Sequence, residues 1–233
     1  MNKDKSIDVV GHRKRAKDKF ALSEGKGFAD YELLELILFY SIPRIDVKPI
    51  AKALLRKFGS LAGVLYAPKD ELQKFERISD STINLFRIIT ETNIRICKEK
   101  LCNKDLPVLA NVDALIDFCR SAIAYKAVEE LHILFLDASF HLLGTDILSK
   151  GVSTSVRITP EEVVQKAKEN RAPNIVLVHN HPSGYTSPSK EDILITSDIF
   201  RACRYMNINL QEHLIISPYE YFSFRTEGLL PLK

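Results

Sequence analysis

Two histidines one residue apart, His179 and His181, precede an aspartate, Asp192, with ten residues between His181 and Asp192. The apolar run Ile175-Val176-Leu177-Val178, set between Pro173 and Pro182, is short and branched in the way buried strands are. Side chains at i and i+2 of a strand share a face, so the two imidazoles can be aimed at one point. Pro182-Ser183-Gly184 then turns the chain. Asp192 falls in the first turn of a helix that carries Ile193, Leu194, Ile195 and Ile199. Two imidazoles and a carboxylate leave one of the four zinc positions to water, which is the composition of a catalytic site, since structural sites fill all four with protein ligands.

Plainer readings exist for each part. Ser189-Lys190-Glu191-Asp192 also fits a capping box, in which Ser189 and Asp192 satisfy free amides at a helix start. A histidine at a strand end is commonly a hydrogen-bonded scaffold group. The metal reading rests on the combination of both histidines, the aspartate and the Pro-Ser-Gly turn in one stretch. A barrel hydrolase with His-x-His on its first strand needs about 250 residues, far more than follow His181. The letters His179-Asn180-His181 match an HNH nuclease only by accident, because that motif is spread along a longer segment.

The elements that must hold these residues follow from the flanking patterns. Leu131-His132-Ile133-Leu134-Phe135-Leu136 is apolar on both faces, as a central strand is, and Phe140 to Ile147 is its partner across the turn Asp137-Ala138-Ser139. Glu129 and Glu130 precede this strand, and alternation sends them to opposite faces, so only one can look toward the metal. Thr159-Pro160-Glu161-Glu162 is a helix start with Thr159 as cap and Glu162 as the capping-box acid, the helix running to about Asn170. A strand over 175–181, a helix over 190–205, a strand over 209–216 and a last strand around 219–224 complete an α/β sandwich of mixed sheet and flanking helices. His213 reads as a structural histidine in preference to a partner of a metal ligand, and His132 and His141 have no motif context.

Residues 30 to 100 read as helical. Helices are expected from Asp30, which serves as a cap, over Val47 to Phe58 with Gly59 as the stop, over Ser60 to Tyr66, over Lys69 to Phe75 and over Ser81 to Lys98. Another runs from Asn111 through Ile123. The polar stretch between Lys98 and Pro107 marks a boundary, giving a helical domain over 1–104 and a metal-binding domain over 105–233. The chain has 233 residues, 45% hydrophobic and 27% charged, which suits one ordinary domain plus a smaller one. No window reaches the roughly 18 apolar residues of a membrane span, and the charged N-terminus lacks the apolar core of a signal peptide. A cytoplasmic protein with no membrane partner is expected, its Cys97, Cys102, Cys119 and Cys203 reduced and buried. A net charge of +3 does not imply nucleic-acid binding, and the basic cluster His12-Arg13-Lys14-Arg15 reads as a solvated arm.

His179-x-His181 with Ser189 and Asp192 resembles the JAMM motif of the MPN/JAB metallopeptidases, and His179-Asn180-His181-Pro182-Ser183-Gly184 is similar to the version found in the bacterial RadC (UPF0758-type) family, a likeness that covers nearly the whole chain. The resemblance implies a cytidine-deaminase-like sandwich holding one Zn²⁺ per chain through His179, His181 and Asp192. It implies Glu129 as general base, by counting back from Asp137, and Ser189 as oxyanion stabiliser. It further implies a helix-hairpin-helix module at the N-terminus, which grips phosphate through a glycine hairpin. The matching segment Glu76-Arg77-Ile78-Ser79-Asp80 has Arg77 and Ser79 where glycine stands in the family, so DNA contact should be weak. Thr159 and Glu161 likewise stand where the family more often has His and Arg. The expected activity is zinc-dependent hydrolysis of a peptide or isopeptide bond in a protein substrate. The alternatives are a DNA-associated repair or recombination factor and a non-catalytic interaction module, the second disfavoured by the intact ligand set.

Overall fold

The computed structural model describes residues 4–102, 105–151 and 158–230, with side chains from residue 11 onward. It divides into two compact units, 1–92 and 93–233. The division lies inside one helix, whereas the expected boundary at 104/105 adjoins residues 103–104, which lie outside the described residues.

The N-terminal unit is helical: α1 (Asp4–Ser23), α2 (Asp30–Ser41), α3 (Lys48–Phe58), α4 (Leu61–Tyr66), α5 (Lys69–Leu72) and the first half of α6 (Asp80–Leu101). Leu34, Leu38, Val47, Leu54, Val64, Leu72 and Phe86 form its core, each with no exposed surface. Gly59 ends α3 in the left-handed conformation (φ 80°), a geometry that favours glycine. Ser60 caps α4 by accepting a hydrogen bond from the Gly63 amide. Asp30 is not the cap of α2; that position belongs to Ala29, whose amide donates to the Glu32 carboxylate.

The basic cluster is no free arm either. It lies on α1, where the Arg13 guanidinium donates to the carbonyls of Ile42 and Ile45 at 2.7 Å each and lies over the Phe39 ring. Those two carbonyls lie just past the end of α2, where backbone acceptors lack helical partners. Cation–ring contacts of Lys17 with Tyr40 and Lys19 with Phe28 complete a docking mode that leaves no apolar stripe in the sequence.

In the second unit, a 3₁₀ turn at Val108–Ala110 leads into α7 (Val112–Ile123), β1 (Glu130–Leu136), β2 (Leu142–Lys150), α8 (Pro160–Glu169), β3 (Asn174–Asn180), α9 (Lys190–Tyr205), β4 (Asn209–Ile216) and β5 (Tyr221–Ser223). The five strands form one mixed sheet in the order β2-β1-β3-β4-β5, with only β3 and β4 parallel. All seven residues of β3 are buried because both faces of the sheet are covered. Leu134, Leu136, Val176, Val178, Leu214 and Ile216 pack toward α7, while Ile133, Phe135, Ile175, Leu177 and Ile215 pack toward α8 and α9. Burial of each such apolar side chain contributes roughly 1.5–3 kcal/mol to the fold, and the alternation fixes which side every neighbouring polar group must take. No helix among the described residues is long and apolar enough to cross a membrane. All four cysteines are free; Cys97, Cys119 and Cys203 are buried, and Cys102, against expectation, is exposed.

In the hairpin Glu76–Asp80, Arg77 takes φ 71°, the left-handed conformation an L residue adopts at a cost of about 1–2 kcal/mol. The backbone has the shape a glycine would serve, with arginine in its place. Arg77→Gly is therefore expected to raise stability by up to about 1 kcal/mol in a urea titration, the strain relief exceeding glycine's entropy penalty of roughly 0.5–1 kcal/mol. A loss of 1 kcal/mol or more would contradict this.

Candidate metal centre

The α8/α9 face of the sheet is apolar until the end of β3, where it turns polar. His179 lies opposite Leu131 of β1 and beside Ile215 of β4, and His181, one step past the strand, keeps contact through its amide to the Ile216 carbonyl at 3.2 Å. The Gly184 amide donates back to the His181 carbonyl at 3.0 Å, and Gly184 sits at φ 87°, so the turn returns the chain toward the start of α9. Here the Ser189 hydroxyl accepts from the Asp192 amide at 3.0 Å, while the Ser189 amide and hydroxyl donate to Asp192 Oδ2 at 2.8 and 2.6 Å. The capping box is complete and does two things at once: it starts the helix, and it ties one carboxylate oxygen so that Oδ1 is turned to His179.

His179, His181 and Asp192 thereby bring one ligand atom each to within 4.8 Å of one another. The two Nε2 atoms are 2.9 Å apart, and they lie 3.4 and 3.7 Å from Asp192 Oδ1 and Oδ2 respectively. His179 is buried, while the other two are partly exposed, so the cluster opens to solvent on one side. His181 Nδ1 lies 2.7 Å from the Tyr185 carbonyl. A carbonyl only accepts, so Nδ1 carries the hydrogen and the neutral ring leaves Nε2 bare. A bare nitrogen facing another nitrogen and a carboxylate needs a hydrogen or a metal ion between them.

The protonation equilibria follow from this crowding. Burial lowers the His179 pKa to about 4, with the Asp192 charge opposing and His181 adding to the fall. Contact with Asp192 raises that of His181 against the effect of burial, helped by the Tyr185 carbonyl and by the negative charge of Glu129. Burial would raise the Asp192 carboxyl, but His181, His179 and the two bonds from Ser189 outweigh it and hold Asp192 far below the ordinary carboxylate range. The trio thus has a neutral imidazole, an ionised carboxylate and one imidazole that competes for a proton. That donor set fits a divalent ion of zinc's ligand preference.

Glu129 is exposed and immediately precedes β1. Leu131, two residues on, is the register partner of His179, which puts Glu129 on the histidine side of the sheet, in keeping with its effect on His181. Glu130 belongs to the opposite side. It is 1% exposed, 3.0 Å from His132 Nε2 and 3.2 Å from Lys150 Nζ. Burial pushes its pKa up, but those two partners prevail and hold it below the ordinary value.

Two residues, Asn180 and Thr196, escape a reading of the sequence, and a third, His213, is named there without its neighbour. Asn180, between the two histidines, is wholly buried on the other side of the strand; it accepts from the Glu130 amide at 2.9 Å and donates to the Val128 carbonyl at 3.1 Å. With the Gly151 amide donating to the Glu129 carbonyl at 2.8 Å, it fixes the backbone on which Glu129 stands. His213 is buried and hydrogen-bonded, as a structural histidine is, and its Nε2 is 2.9 Å from His179 Nδ1. Thr196 is one helical turn after Asp192 and 2.6 Å from His213 Nδ1. A residue at i+4 from a helical ligand was the signal for Thr196; the strand pairing that brings in His213 left none.

Comparison with known proteins identifies the domain that carries this site. The description of the RadC-like JAB domain matches residues 109–229. The chain belongs to the RadC-like JAB family. UPF0758 proteins resemble it over nearly their full length: that of Ruegeria pomeroyi is 37% identical over 222 residues, covering 95% of this chain and 98% of its own. That of Rhodobacter capsulatus is 37% identical over 214 residues, 92% and 99% of the two chains, and that of Fusobacterium nucleatum is 37% identical over 228 residues, 96% and 98%. As a RadC-like JAB domain, residues 109–229 include the whole trio, Glu129, Ser189, Thr196 and His213.

Since His179 stays unprotonated down to about pH 4 and Asp192 stays ionised, only His181 must lose a proton to bind a metal ion. Below the raised His181 pKa, zinc affinity measured by calorimetry should fall about tenfold per pH unit as far as roughly pH 5, the slope for one displaced proton. A flat profile, or a hundredfold fall per unit, would refute this protonation scheme.

Proposed function

We propose that this RadC-like protein is a zinc-dependent hydrolase of the JAMM type that cleaves a peptide or isopeptide bond in a protein substrate. The observation that carries the proposal is the meeting of two imidazole nitrogens and a carboxylate oxygen within 4.8 Å, open to solvent, with a glutamate on the same side of the sheet. His179, His181 and Asp192 would hold one Zn²⁺ per chain. When bound, that ion supplies an acidified water and a Lewis acid toward the scissile carbonyl.

The remaining work falls to the chain itself. Glu129 takes the proton of the attacking water and returns it to the leaving nitrogen, as a general base that becomes a general acid. Its exposure suits a group that must meet substrate, and the backbone bonds at Gly151 and Asn180 hold it in place. Ser189 keeps the Asp192 carboxylate oriented; by turning its hydroxyl off Oδ2 it can donate to the oxyanion. The complete ligand set argues against a purely non-catalytic interaction module. A DNA-associated role has no observation of equal weight, as the hairpin carries Arg77 at the glycine position and Asp80 paired with Lys69.

Glu129→Gln is expected to keep fold and bound zinc while hydrolysis of a cleavable peptide-library substrate falls by roughly two or more orders of magnitude, the scale of a lost general base. Glu130→Gln should retain activity but lose stability, by about 1–3 kcal/mol for a buried hydrogen-bonded charge altered in place. Lost activity in Glu130→Gln with activity retained in Glu129→Gln would reverse the assignment of the two faces.

A further inference from the structure

We propose that Thr196 and His213 are positioning residues that decide which ring nitrogen of His179 carries its hydrogen, leaving Nε2 bare toward the metal position. The inference rests on the metal reading of His179, His181 and Asp192, but its first step is independent of any ion.

The order of hydrogen bonds can be read from one end. Thr196 Oγ1 lies 2.5 Å from the Asp192 carbonyl oxygen. A carbonyl cannot donate, so the single hydroxyl hydrogen of Thr196 is spent there. The same hydroxyl lies 2.6 Å from His213 Nδ1 and must accept, which places the His213 hydrogen on Nδ1. A neutral imidazole has one N–H, so His213 Nε2 is an acceptor, and the ring nitrogen 2.9 Å away, His179 Nδ1, must be the donor. His179 Nε2 is then left without hydrogen, facing His181 Nε2 and Asp192 Oδ1. Thr196 and His213 are each 1% exposed, and the His213 ring is stacked on Phe224 at 4.6 Å between centroids. Among the described residues no carboxylate bonds to the His213 ring, whose nitrogens meet Thr196 and His179, while Glu212 takes only the His213 backbone amide; both rings are held in place.

The chain of bonds begins and ends at metal-ligating residues: Asp192 supplies the terminal acceptor through its backbone, and His179 is the last donor. If the Thr196 hydroxyl is replaced by a methyl group, an Nδ1 hydrogen on His213 loses its acceptor. The cheaper arrangement moves that hydrogen to Nε2, because an unpaired buried donor is costly. His213 would then donate to His179 Nδ1, and the His179 hydrogen would move to Nε2, blocking the ligand atom. Partners that orient a ligating histidine typically change metal affinity 10–100-fold.

Long-range ¹H–¹⁵N correlation spectra of the metal-free, full-length protein read the tautomers directly. The expected result is hydrogen on Nδ1 in both His179 and His213; hydrogen on Nε2 of His179 would overturn the proposal. Zinc affinity is then measured by competition with a chromophoric chelator for the unaltered chain, Thr196→Val and Thr196→Ser. Thr196→Val should bind roughly 10–100-fold more weakly and Thr196→Ser within a few-fold of the unaltered chain; equal affinity for Thr196→Val would refute the positioning role even though zinc binds. Should the unaltered chain bind no zinc while both rings show the Nδ1 hydrogen, the metal reading fails and the hydrogen-bond order stands. The spectra of the unaltered chain decide the first step even if a variant does not fold.

Discussion

Two imidazole nitrogens 2.9 Å apart, with a carboxylate oxygen 3.4 Å from the first, form an arrangement that repels itself unless positive charge sits within it. The nitrogens carry only partial negative charge, yet opposed lone pairs beside an ionised carboxylate are unfavourable in a partly buried site. The chain commits much of its architecture to bearing that strain. Two strand faces and a helix start converge there, the Tyr185 carbonyl orients one ring, and Ser189 turns the carboxylate. In the metal-free protein a proton on His181 relieves the repulsion, which is why its pKa lies above the ordinary value. A divalent ion held by His179, His181 and Asp192 would relieve it better, by supplying two positive charges in place of one.

The sheet separates chemistry from support by alternation alone. On the α8/α9 side stand His179, His213 and Glu129; on the α7 side stand Asn180, Glu130 and His132. Asn180 therefore belongs to neither a nuclease motif nor the ligand set. It spends its amide on the backbone that presents Glu129, so the segment His179-Asn180-His181 places two imidazoles on one side and a brace for the Glu129 backbone on the other. The buried pair of Glu130 with His132, closed by Lys150, serves the strand edge in the same way, and it explains why adjacent glutamates in one chain meet such different surroundings.

The convergence of His179, His181 and Asp192 was legible because its geometry is local. An i, i+2 pair at a strand end and an acid in the first turn of a helix need no knowledge of distant pairing, and the capping box that gave Ser189 and Asp192 a plain reading is the device that aims the carboxylate. The alternation of 131–136 similarly foretold opposite sides for Glu129 and Glu130. The contact of His213 with His179 was not legible, because it depends on the parallel register of β3 and β4, which shifts by one residue between Ile175 and Val176. No spacing within the chain encodes such a shift. Helix α1 was missed for a different reason: polar contacts such as those of Arg13 with Ile42 and Ile45 leave no apolar period, so a packed helix read as a solvated arm.

The most direct test of the metal centre is zinc X-ray absorption on the full chain after reconstitution, with elemental analysis of the same sample. The account predicts one zinc per chain and scattering from two imidazole nitrogens and carboxylate or water oxygens at about 2.0–2.2 Å, with the imidazole signal halved in His181→Ala. Absence of stoichiometric zinc, sulfur scattering from a cysteine at about 2.3 Å, or a spectrum unchanged by His181→Ala would contradict it.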